Sequence, residues 1–74
     1  MKRYNATIEY LPGRRTAIIA LTDTRGDWQG ATRIELPRAK RGGRRDLYEL
    51  GYTTASTMAT IKGGMLETFK EAKA

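Results

Sequence analysis

Alternation of apolar and polar positions dominates the first half of the chain. Tyr4, Ala6, Ile8 and Tyr10 alternate with Asn5, Thr7 and Glu9, the period-two signature of a half-buried strand over residues 4–11. Leu11-Pro12-Gly13-Arg14 then supplies a turn, with Pro12 pre-setting φ and Gly13 free to take φ > 0. Residues 15–22 are more apolar and read as a second, central strand, so the two form a hairpin with Arg14 and Arg15 at its tip. Asp23 to Gly30 reads as a polar loop. Ala31 to Leu36 resumes the alternation, with Thr32, Ile34 and Leu36 on one face and Arg33 and Glu35 on the other. Pro37 lacks a ladder donor and ends this third strand.

The second half is less regular. Asp46 to Tyr52 suits either a strand presenting Tyr48, Leu50 and Tyr52 or a helical turn presenting Leu47 and Leu50. Aromatic content and Gly51 favour the strand. Thr53 or Thr54 then caps a helix, along which Met58, Ile61, Met65, Phe69 and Ala72 form one apolar stripe that packs on the sheet. Gly63-Gly64 falls inside that stripe at a cost of roughly 1 kcal/mol per Gly relative to Ala. The pair kinks the helix, admits a close neighbour, or separates two elements. The expected fold is therefore α+β: an antiparallel sheet of three or four strands packed on one C-terminal helix, its other face open to solvent. Residues 1–74 are expected to form a single small domain.

Charge changes the picture most. The net charge is +6, but residues 1–45 hold eleven basic and four acidic side chains, whereas residues 46–74 hold three basic and four acidic. Five cations (Arg38, Lys40, Arg41, Arg44 and Arg45) fall within the nine residues 37–45, with no acid among them. Like charges at this density favour an open, solvated loop, and a polyanion neutralises it by releasing condensed counterions. Arg33 stands mid-strand opposite Ile34, where Arg14, Arg15 and the basic loop can converge on it. Arg matches guanine with two bonds in a major groove; the plainer reading is a solvent-facing residue paired with Glu9 or Glu35. Trp28, the single Trp, either folds back over the end of the small core, the preferred reading, or stacks on an unpaired base.

Catalysis is not expected. The chain has no Cys and no His, which removes disulfides, the usual zinc sites and imidazole chemistry. Glu9, Asp23, Asp27 and Glu35 lack a paired-acid spacing, and Gly42-Gly43 is not followed by the Lys-Ser/Thr of a phosphate-binding loop. A ribonuclease working with Arg, Lys and the four tyrosines remains an alternative that no spacing singles out. Arg25-Gly26-Asp27 matches the integrin-type tripeptide, which recurs by chance. No metal or cofactor is expected. There is no apolar run near 18 residues and no signal-peptide pattern, which points to a soluble, cytoplasmic protein without a membrane partner. At 74 residues a single core supplies only roughly 3–5 kcal/mol, which leaves a homodimer open.

Leu50-Gly51-Tyr52-Thr53-Thr54-Ala55 resembles the strand-to-helix corner of three-stranded-sheet DNA-binding domains, found in phage integrases and plant ethylene-response factors. That resemblance covers six residues and implies a sheet that enters a major groove. Four strands and a helix are similar instead to the Pur-type and coactivator-type single-strand binders, which dimerise. Both alternatives stay open. The reading is a small, basic, non-catalytic nucleic-acid-binding protein, DNA ahead of RNA, of the kind that serves phages or mobile elements as a regulatory accessory. Arg38, Lys40, Arg41, Arg44 and Arg45 would contact phosphate, Arg14, Arg15 and Arg33 would orient the ligand, and Trp28 would stack. The rival is a protein-binding module or inhibitor whose basic loop docks on an acidic protein surface.

Overall fold

Tyr4, Ala6 and Ile8 are buried while Arg3, Thr7 and Glu9 are exposed, so the alternation read from the first strand is realised residue by residue. The computed structural model describes residues 1–13, 15–38 and 43–72. Its elements in chain order are β1 (Lys2–Tyr10), β2 (Thr16–Asp23), β3 (Trp28–Glu35), α1 (Arg44–Ile61) and β4 (Gly64–Glu71). The sheet order is β3-β2-β1-β4. β1 pairs antiparallel with β2, and β2 with β3, as the first-half pattern predicts. β4 pairs parallel with β1. The α+β class with four strands stands; the sheet is mixed rather than antiparallel, because a helix intervenes before the last strand and brings it back beside β1 in the same direction.

The helix begins earlier than its sequence pattern suggests. Residues 46–52, read as a strand, belong to α1, and Gly43 rather than Thr53 or Thr54 occupies its N-cap. Leu47, Gly51, Ala55 and Ala59 are its buried residues, one per turn along a single face. Gly51 is there because the helix lies directly on the sheet. A Cβ at this position would stand 2.9 Å from the Cδ1 atoms of both Ile8 and Ile19. The threonines that look like strand formers are accommodated by bonding back one turn: Thr53 donates to the Glu49 carbonyl (3.2 Å), Thr54 to Leu50 (2.8 Å) and Thr57 to Thr53 (2.9 Å). The resemblance of Leu50–Ala55 to a strand-to-helix corner fails for the same reason, since the whole run is helical.

Gly63, at φ 81°, turns the chain out of the helix, and the helical stripe expected beyond it is strand β4. Its register shifts between the pairs Tyr4–Leu66 and Asn5–Thr68. This bulge lets Leu66 and Phe69, three residues apart, both pack against the core. Of the expected stripe, Met58 and Phe69 pack against the core, whereas Ile61 is 79% and Met65 49% exposed. The core lies between α1 and the sheet, with Ile8, Ile19, Leu21 and Leu47 as its largest fully buried side chains. Each is worth roughly 1.5–3 kcal/mol in burial. Among the described residues no helix is long and apolar enough to cross a membrane.

Candidate nucleic-acid interface

One face of the sheet is covered by α1 and the other is not. Residues opposed across an antiparallel pair share a face, so the uncovered side follows from the register. It carries Asn5, Thr7 and Glu9 of β1, Ile18, Ala20 and Thr22 of β2, and Trp28, Ala31, Arg33 and Glu35 of β3. Small and hydroxyl side chains fill its middle. Thr68 donates to the Asn5 side-chain oxygen at 2.8 Å, which fixes that amide.

Trp28 does not cover the core. It is the first residue of β3 rather than part of a loop, and it is 70% exposed. Simple alternation with Gly30, Thr32 and Ile34 would turn its ring towards the helix. Instead the register shifts between Leu21–Gly30 and Thr22–Trp28, and the bulge re-aims Trp28 to the uncovered face. Arg33 sits on that same face opposite Ile18. It is exposed and makes no ion pair with Glu9, Glu35 or any other described residue.

Arg15, Arg38, Arg44 and Arg45 gather at one end of the sheet, where β1, β3 and β4 finish and β2 starts; we call it the basic end. Arg15 is half-buried and donates to the carbonyls of Leu36 (3.2 Å) and Pro37 (2.6 Å), pinning the chain as it leaves β3. Arg38 is exposed in a turn. Arg14, Lys40 and Arg41 lie outside the described residues. Arg44 and Arg45 are not in a solvated loop but open α1, an unfavourable place for cations beside the positive end of the helix dipole. Asp46 in the first turn offsets them. Arg44 lies 3.7 Å from Glu71 and 4.9 Å above the Tyr10 ring, and Arg45 lies 3.7 Å from Glu49. Burial pushes the Tyr10 phenol up from its ordinary pKa, with Glu71 adding to the rise and Arg44 opposing it. Behind Tyr10, Phe69 meets Tyr48 and Tyr52 edge-on, with ring centroids 4.9 and 5.8 Å apart.

Cations at the opposite end, which we call the turn end, escape a reading of local charge density. Lys2, Arg3 and Arg25 line a surface cleft of about 460 Å³ together with Tyr4, Asp23 and Gln29. The signal is the hairpin register, which sets Tyr4 against Asp23 and so brings residues 2–3 beside residues 24–25. No group of carboxylates among the described residues could hold a metal ion. Comparison of the chain with protein-family models, curated proteins and solved structures gives no match.

Proposed function

We propose that this protein binds nucleic acid, DNA ahead of RNA, and acts by binding rather than by catalysis. The observation that carries the reading is the uncovered sheet face, on which exposed Trp28 and unpaired Arg33 stand on one strand. That strand leads straight into Arg38 and the cation-rich segment after it. A face whose middle carries small side chains (Thr7, Ala20, Ala31) lets a backbone approach closely, cations neutralise phosphate, and an exposed ring supplies a stacking platform. Arg38, Lys40 and Arg41 are the principal phosphate contacts, with Arg33 orienting the ligand. Arg15 acts indirectly, by holding the start of the segment in place.

An electrophoretic shift series with DNA and RNA oligonucleotides at stepped salt concentrations tests the reading. Binding should weaken linearly in log–log form as salt rises. It should be lost when Arg38, Lys40, Arg41, Arg44 and Arg45 are all changed to Gln, in a variant that keeps the parent's circular dichroism. Unchanged affinity in that variant would overturn the role of the basic segment.

A further inference from the structure

We propose that the turn end is a second phosphate-contact site, formed by Lys2, Arg3 and Arg25, and that its ligand is a single strand of nucleic acid with a base stacked on Trp28. The inference rests on the nucleic-acid reading above and adds the site, the strandedness and the path. It starts from Asp23. This carboxylate lines the same cleft as the three cations and would be expected to neutralise them. It pairs directly with none of them: its oxygens accept neutral donors of the turn instead, and its charge acts on the cations only from a distance. One oxygen accepts the backbone N–H groups of Arg25 and Asp27, both at 2.9 Å, and the other accepts the Gln29 side-chain amide at 3.4 Å. The turn is closed again by Gly26 N–H on the Asp23 carbonyl (3.0 Å) and Asp23 N–H on the Asp27 carbonyl (2.9 Å).

The consequence is a rigid turn that presents Arg25 without using its charge. Lys2 and Arg25 form no ion pair with any described residue, and Arg3 has only the exposed Glu67 at 3.2 Å. An exposed pair of that kind exchanges readily for a phosphate. Trp28 follows the turn directly and its neighbour Gln29 lines the cleft. The register sets Tyr4 and Asp23 on the helix side of the sheet and Trp28 on the uncovered side, so a strand that reaches both crosses the end of the sheet. A free ring on an uncovered face can take an unstacked base, whereas a duplex hides its base faces. From Trp28, β3 runs about 24 Å past Arg33 to Glu35, three residues before Arg38 at the basic end. A flexible strand can follow that path and touch cations at both ends of the sheet.

The test measures binding of an oligothymidylate, and of a duplex of equal length, to the parent, to Lys2→Gln/Arg25→Gln and to the charge-keeping Lys2→Arg/Arg25→Lys. Trp28 emission is followed at several salt concentrations. The parent should bind the single strand with quenching of Trp28. The Gln variant should bind several-fold more weakly at low salt, with a salt slope shallower by about 1.4, or 0.7 for each lost contact to a single strand. The charge-keeping variant should retain the parent's slope. Trp28→Ala should weaken single-strand binding roughly 5- to 150-fold. A Gln variant with the parent's affinity and slope overturns this inference and leaves the nucleic-acid reading standing. Duplex binding with unaltered Trp28 emission does the same. A parent that binds no nucleic acid at low salt overturns both.

Discussion

At the basic end the sequence packs cations densely, and three of the four described ones have local partners. Arg44 has Glu71 and the Tyr10 ring, Arg45 has Glu49, and Arg15 holds two carbonyls. At the turn end cations are fewer and less paired: Asp23 accepts backbone donors rather than a cation, and Arg3 alone has a carboxylate partner, the exposed Glu67. Charge per residue along a sequence is therefore a poor guide to charge available to a ligand. What counts is how many of the neighbouring acids are free to respond, and hydrogen bonding decides that as much as proximity does.

The largest expected effect breaks the basic end mechanically. Phe69 joins β4 to Tyr48 and Tyr52 of α1. Phe69→Ala should cost about 3 kcal/mol, the low end for this substitution because the ring is only half-buried. Denaturant unfolding followed by circular dichroism reads it, and a midpoint equal to the parent's would show that β4 is held by its ladder alone. The turn end breaks at Asp23. Asp23→Ala strips two backbone amides of their acceptor and should cost about 1–2 kcal/mol, with faster exchange of the Arg25 and Asp27 amides.

A subtler pair of variants sharpens the contrast in charge availability. Arg38→Gln/Lys40→Gln/Arg41→Gln should flatten the salt dependence of single-strand binding by about 2, whereas Arg44→Gln/Arg45→Gln, whose cations already face carboxylates, should flatten it by less than half as much. Equal change per residue would mean that the intramolecular pairs are too weak to matter. The smallest effect is alkaline. Tyr10 has a raised pKa, so the folded state favours its neutral form. The stability this contributes is complete below pH about 10 and is lost as pH rises above it. Tyr10→Phe should reduce the fall of the melting temperature in that range.

How much of this was legible beforehand divides at residue 43. The three antiparallel strands, their hairpins and the faces of Tyr4, Ile8, Ile34 and Leu36 follow from period-two alternation, a local property. The errors beyond residue 43 come from non-local causes. Gly51 resembles a helix breaker until the closeness of Ile8 and Ile19 gives it a purpose. Met65 and Phe69 stand at helical spacing, yet they lie on opposite faces of β4, which bulges between them against β1. Before residue 43 the exception is Trp28, whose place on the uncovered face rather than the core depends on the bulge of β3 against β2. Bulges are set by the partner strand, and a single strand's sequence carries little trace of them. The site divides similarly. The run from Arg38 to Arg45 is visible in any charge plot, but Lys2 and Arg25 become neighbours only through the β1–β2 register.

The place of β4 also has a consequence during synthesis. Its partner β1 is complete by Tyr10, yet the strand that seals its outer edge ends at Glu71. At cellular elongation rates the intervening stretch takes roughly 3–12 s to make. During that interval the nascent chain displays an unsatisfied backbone edge beside Ile8 and Tyr4, a template that other chains can join. Premature release before residue 64 should therefore yield insoluble product rather than a smaller soluble protein, and ribosome stalling within α1 should draw chaperones to this chain.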